Sequence, residues 1–336
     1  MTTSLPRRQA LGRLMGLSGL AALGPSALLS PTGALASEPW PTRPLRLIVP
    51  FAPGGAADSS ARALADPFAT ALGQAVVVEN RPGAGSAVGV KLAAQARDGH
   101  TLLMGSNSMV INPSLQPAIG YEVARDFEPV GMVSVQPLVL VVPAGSGPRS
   151  VKDLVAQAKA RPGTLTAGNS GPGTLAHLTS ELFAAEMGID LIPVPYKGES
   201  ALLPDLLGGL VNLGFLNLPS VLPHLKAGKL VALAVSAPQP LAELPGVPTL
   251  RSQGLPTLEV QGWAALLAPR GTVPTEALTR LEGLLAQALA SEPVRARFAA
   301  IGVAPHPLGR APTAAFLQQE ERRYAAIIRS RGIRLE

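Results

Sequence analysis

No cysteine occurs among the 336 residues. That excludes disulfides, a cysteine nucleophile and a lipid-modified cysteine anchor; an oxidising compartment permits disulfides without requiring them. Histidine is scarce. His100, His177, His224 and His306 lie far apart and form no His-x-x-x-His or comparable metal spacing, so no metal or organic cofactor is expected. Acidic residues number only 22, and no carboxylate pair falls in a context suited to general acid–base work. No Gly-x-Ser-x-Gly elbow is present to activate a serine. Catalysis is therefore not expected, although a triad drawn from distant residues leaves open an exported hydrolase using Ser170 and His177. Lysine and arginine form no block of the kind that follows a nucleic-acid backbone. The formal charge is +6, and Arg7, Arg8 and Arg13 account for three of these charges.

Those three arginines belong to what reads as an export signal. No acidic residue precedes Glu38, and an apolar run extends from Leu11 to about Leu29. Ala34-Leu35-Ala36 then gives a small-x-small cleavage pattern, with Ser37 as the mature N-terminus. Residues 1–36 are thus expected to be a signal peptide, and the mature protein periplasmic. Arg7-Arg8-Gln9-Ala10-Leu11 resembles a twin-arginine signal; an ordinary secretory leader with two adjacent arginines is the alternative. Glycines and Pro25 interrupt the run, which argues against a retained membrane anchor. Cleavage leaves 300 residues carrying a net +3, enough chain for two domains.

Along the mature chain, β-like runs alternate with helix-like runs, which predicts an α/β architecture. The strands expected first are Leu45–Val49, Ala75–Glu79, Thr101–Gly105 and Leu138–Val142. Leu165–Ala167, Leu191–Val194, Leu213–Phe215 and Val231–Val235 follow, and then Trp263–Ala268. Between them lie helices at Ser59–Leu72, Ala87–Ala96, Val151–Ala160, Leu175–Met187, Ala201–Leu207 and Val221–Ala227. Two helices, Glu276–Ala290 and Pro312–Arg331, are expected to close the chain. The runs fall into two α/β blocks, with Leu138–Val142 and Leu258–Leu267 as crossing segments. Two crossings make a hinge with a cleft between lobes, where small ligands bind. The expected limits are 37–138 for the first part of lobe 1, 139–258 for lobe 2 and 259–336 for the completion of lobe 1.

Three loops could carry binding chemistry. Pro53-Gly54-Gly55-Ala56-Ala57-Asp58 joins a strand to a helix. Glycine lets backbone N–H groups approach a ligand, and the helix start adds unpaired N–H groups and a positive dipole end. The turn suits a carboxylate, with Asp58 as a helix N-cap or a polar contact; a plain strand–helix turn is the bland alternative. Gly168-Asn169-Ser170-Gly171-Pro172-Gly173-Thr174 repeats the device, with hydroxyls at Ser170 and Thr174 and His177 three residues into the helix. For His177 a structural or capping role is the more common case. Ser106-Asn107-Ser108 ends a strand and suits either ligand hydrogen bonding or an Asx turn. Gly83-Ala84-Gly85-Ser86-Ala87-Val88-Gly89 is one residue too long for a dinucleotide fingerprint and is rejected as a nucleotide site.

Motifs over the whole mature chain resemble the Bug-type periplasmic solute receptors of tripartite tricarboxylate transporters. They include Trp40-Pro41-Thr42-Arg43-Pro44, Val49-Pro50-Phe51 through Asp58, and Val78-Glu79-Asn80-Arg81-Pro82-Gly83-Ala84-Gly85. Asp98-Gly99-His100, Val194-Pro195-Tyr196-Lys197-Gly198 and Leu244-Pro245-Gly246-Val247-Pro248-Thr249 continue the series. Each is modest alone, and their order makes them specific. The resemblance implies a two-lobed Venus-flytrap fold, type II-like, that holds a small carboxylate through backbone amides and ordered water. It implies delivery to membrane permease subunits by a monomeric receptor; a receptor serving a sensor kinase is a variant of this. By position it implicates Gly54, Gly55, Ala56, Asp58, Ser106, Asn107 and Ser108 from the first lobe. From the second come Ser170, Thr174 and His177. Leu216 stands where relatives commonly carry aspartate, and Asn169 where a serine or similar small residue is usual. If Leu216 faces the cleft, a monocarboxylate or aromatic carboxylate is favoured over citrate.

Overall fold

The computed structural model describes residues 40–334. The expected leader, including Arg7-Arg8 and Ala34-Leu35-Ala36, lies outside them. The described chain runs β1 (Leu45–Val49), α1 (Ala56–Leu72), β2 (Val76–Asn80), α2 (Ala87–Gln95), β3 (Thr101–Ser106), α3 (Asn107–Leu115) and α4 (Val123–Asp126). It continues with β4 (Phe127–Pro143), α5 (Val151–Ala160), β5 (Leu165–Asn169), α6 (Leu175–Met187), β6 (Leu191–Pro195), α7 (Glu199–Leu207), β7 (Leu213–Asn217), α8 (Leu218–Lys226) and β8 (Leu230–Val235). Last come β9 (Gln261–Pro269), α9 (Thr275–Ala290), α10 (Glu292–Ala300), β10 (Ala304–Leu308) and α11 (Arg310–Arg331).

The alternation predicted an α/β fold, and the strand order bears it out as β2-β1-β3-β9-β4-β7-β5-β6. One end, β2-β1-β3, is parallel, and so is the other, β7-β5-β6. Each is a βαβ block. Between them β4 is shared. Its first part pairs antiparallel with β9 and β10, and from Leu138 onward it pairs with β7 and β8. The chain leaves the first block along β4 and returns to it in β9.

Most expected elements form within a few residues of their predicted limits, and the departures have local causes. Only Leu138–Val142 of β4 was expected. Pro129 and Pro137 lower the strand reading upstream, because proline cannot donate to a ladder. The strand absorbs Pro129 through a register shift between Pro129 and Gly131. Two closing helices were expected, and three form, with β10 between the last two. The β10 run Ala304-Pro305-His306-Pro307-Leu308 reads as a loop for the same reason, yet it pairs with β4 through a register shift. Helix α3 was not expected; Ser106, read as a loop residue, is its N-cap.

The core follows the period of each element. Ala61, Leu64, Phe68 and Leu72 recur every three or four residues and bury one face of α1 against Leu45, Leu47 and Val49 of β1. Leu278, Leu281 and Leu285 of α9 seal the same cluster. Each fully buried leucine contributes about 1.5–3 kcal/mol. Such packing fixes where the strands end, and the strand ends carry the site.

Candidate functional site

Five parallel-type strand–helix junctions point their helix starts at one cavity. Its wall includes Gly55, Ala56 and Ala57 at the start of α1, and Ser106, Asn107 and Ser108 at the start of α3. Thr174, Leu175 and Ala176 open α6, Gly198 and Glu199 open α7, and Asn217 precedes α8. Phe51, Gln136, Leu138, Ser170, Gly262 and Trp263 complete most of the remainder. The cavity is about 70 Å³. At roughly 10–15 Å³ per water, that is room for a handful of waters or one small organic ion.

The first N–H groups of a helix have no partner within it. At α1, α3, α7 and α8 no side chain caps them either. Their summed dipoles make the surroundings electropositive without any basic side chain. Among the lining residues there is no lysine and no arginine. Uncommitted polar side chains add to this. Ser106 Oγ is buried without a hydrogen-bond partner. Ser108 and Ser170 also line the wall, as does Gln136, whose Oε1 accepts the Ser134 hydroxyl at 3.4 Å.

Of the residues singled out from sequence, Gly55, Ala56, Ser106, Asn107, Ser108, Ser170 and Thr174 meet at this cavity. Gly54, Asp58, His177 and Leu216 do not line it. Asp58 ties its own turn to α1 and β2. It accepts hydrogen bonds from Gly54 N–H at 2.9 Å, Asn80 Nδ2 at 2.9 Å and Arg62 Nε at 3.0 Å. Burial alone would raise its pKa, but these donors outweigh burial and hold the carboxyl below its ordinary value. The N-cap itself is Gly55, not Asp58. Asp58 therefore shapes the turn.

His177 behaves likewise. Its Nδ1 accepts the Gly173 N–H at 3.3 Å, and burial lowers its pKa, so the ring is neutral. With Nδ1 so occupied, and the ring off the cavity wall, nothing couples it to Ser170 as a base. Thr174 lines the wall, but its hydroxyl donates to Gly171 O at 2.7 Å and caps α6 by accepting from His177 N–H. Asn107 is also committed: its amide donates to Gln261 O at 3.0 Å and Tyr324 Oη at 3.1 Å, and its Oδ1 accepts Trp263 N–H. Both residues offer the cavity backbone rather than side chain.

Leu216 is fully buried in an apolar cluster with Val139, Val141 and Leu202. Side chains alternate along a strand. Asn217 thus meets the cavity, and Leu216 faces away from it. The expected preference for a monocarboxylate or aromatic carboxylate over citrate, which required Leu216 in the cleft, loses its basis.

Sequence reasoning missed Glu199, Gln136 and Asn217. Glu199 follows β6 in the same strand–Gly–helix pattern as the other loops. The helix expected there starts at Ala201, whereas α7 starts at Glu199. Gln136 sits just before the expected part of β4. Among the described residues no group of His, Asp and Glu is gathered to hold a metal ion.

The sequence profile of the Tripartite tricarboxylate transporter family receptor matches residues 60–333. Protein BugT of Bordetella pertussis is 38% identical over 327 residues, spanning 96% of this chain and 99% of that protein. The solved structure of the periplasmic binding protein BugD superposes with a TM-score of 0.84 at 30% identity, covering 88% of this chain and 100% of that one. R. palustris Rpa4515, solved with adipate, gives 0.84 at 34% identity, covering 88% and 99%.

Proposed function

Since the chain belongs to the tripartite tricarboxylate transporter receptor family, we propose that it captures a small carboxylate in the cavity between its α/β blocks and delivers it to a membrane permease. The family's members are periplasmic binding proteins of two-lobed α/β fold. The observation that carries the reading is the convergence of five helix starts on a cavity with no basic side chain. A carboxylate there is held by N–H groups and dipoles that are already in place. Adipate bound to the R. palustris relative supports the same chemistry.

In this reading Gly55 and Ala56 supply amides from one side, and Ser106 and Ser108 add hydroxyls. Ser170 and the start of α6 face them from the other block. The lobe limits belong to the proposal: 37–138 and 259–336 form one lobe, and 139–258 the other. The change of partners of β4 at Leu138 supports the first limit. A ligand that touches both lobes favours the closed arrangement by its differential affinity. The leader ending at Ala36, the permease partner and a monomeric state are proposed with it.

The test is a thermal-shift screen of the chain from Ser37 onward against citrate, dicarboxylates, amino acids and aromatic acids. A ligand that binds only the native state raises its melting temperature. A saturable rise for one class, with the ligand recovered unchanged after incubation, supports a receptor. Consumption of the ligand, or no shift with any acid, overturns it.

A further inference from the structure

Only one charged side chain lines the cavity, and it is acidic. Glu199 lies in the first turn of α7 and is 7% exposed. Its Oε1 accepts Asn217 N–H and Asn217 Nδ2–H, each at 2.8 Å, and its Oε2 accepts the Ser220 hydroxyl. No cation contributes to its environment. A buried carboxylate without a counter-charge is costly, and these three hydrogen bonds do not need one. A glutamine could accept the two Asn217 groups through its oxygen and meet Ser220 through its amide. The fold meets the negative charge of Glu199 only with these hydrogen bonds and the starts of α7 and α8, and with no basic side chain. That charge stands where it meets whatever fills the cavity.

We propose that Glu199 selects a ligand carrying a cationic amine, so that the substrate class is a small amino carboxylate. This rests on the receptor reading of the cavity. The ligand's carboxylate takes the helix starts of α1, α3 and α6, and its ammonium pairs with the uncommitted side of Glu199. The cavity has one electropositive region and one acidic wall, which matches a zwitterion. A second ligand carboxylate would lie against Glu199 with no lysine or arginine to offset it. Like-charge contact of this kind discriminates as strongly as attraction does.

The experiment is calorimetric titration with matched sets of acids. Each set holds an amino acid, the carboxylate lacking its nitrogen, and the dicarboxylate with a second carboxyl in its place. One set is 4-aminobutanoate, butanoate and succinate; others run over the ω-amino acids from glycine to 6-aminohexanoate and over the L-α-amino acids. The tightest ligand is expected to be an amino acid, preferred over both counterparts by about tenfold or more, the scale of a desolvated charge pair. Glu199→Gln should bring that ratio towards one, weakening the amino acid and, by removing the like charge, strengthening its carboxylate counterparts. A dicarboxylate or plain carboxylate binding at least as tightly as every amino acid overturns the inference and leaves the receptor reading standing. Binding of no acid at all overturns both. Should the variant fail to fold, the ratios in the unaltered protein decide alone.

Discussion

Asn112 of α3 lies directly over Gly173 of the loop that opens α6, so closely that a Cβ on Gly173 would overlap its Oδ1. The same asparagine donates from Nδ2 to Gly85 O at 2.8 Å. Gly85 in turn abuts Pro172, leaving no room for a side chain there either. The glycine-rich loop rejected as a nucleotide site is thus a packing surface, where residues of the first block meet the Gly171–Gly173 turn of the second.

Gly173→Ala should therefore weaken both stability and binding. Gly173 has φ +74°, a region costing a residue with a Cβ about 1–2 kcal/mol, and the overlap with Asn112 adds to that. Thermal melting should fall, and affinity for the best ligand of the screen should drop at least about tenfold. Unchanged melting and affinity together would show that the close approach is not needed in solution.

Ser106 and Asn107 are neighbours with opposite commitments. Ser106 Oγ has no partner within the protein, so Ser106→Ala should leave the melting temperature unchanged. Ligand affinity should still fall by about 1 kcal/mol, the net worth of one hydrogen bond. Asn107 ties α3 to β9 and α11. Asn107→Ala should cost about 2 kcal/mol or more by leaving buried groups unpaired. Chemical denaturation and calorimetry on both variants separate the roles.

Asp58 governs acid sensitivity. Its donors hold its folded pKa below the ordinary value of 3.8. A depressed carboxyl contributes stability above its unfolded pKa and loses it as pH falls through the folded value. Asp58→Ala should cost about 1–3 kcal/mol at pH 7, and the gap to the unaltered protein should narrow below about pH 4. Urea midpoints at pH 7 and pH 3 test it; a gap independent of pH would remove the carboxylate from the account.

Glu199 has the opposite sign. Burial raises its pKa above the ordinary 4.5, against the pull of Ser220 and Asn217. A raised carboxyl favours folding below its unfolded pKa, and that contribution is lost as pH rises through the folded value. Glu199→Gln should then melt no lower than the unaltered protein at pH 7, with a flatter melting profile from about pH 4.5 upward. A variant stabilised in the free state yet impaired in binding is the pattern of a site that trades stability for function. Strong destabilisation at pH 7 would make Glu199 a structural residue.

The sequence by itself determined the alternation of strand and helix, because the periods of apolar residues act over neighbouring turns. It also marked the strand–glycine–helix loops, whose short polar and glycine residues have local conformational reasons to be there. The ordered motifs carried the family. Which groups face the cavity was decided by tertiary structure alone. His177 spends its hydrogen bonds inside its own turn, Asp58 ties its turn to Arg62 and to Asn80 of β2, Leu216 falls on the far face of β7, and Glu199 and Gln136 emerge on the wall. Gln136 and Glu199 are brought together only because β4 passes from one block to the other. Pairing between segments so distant in the chain leaves no periodic trace in either.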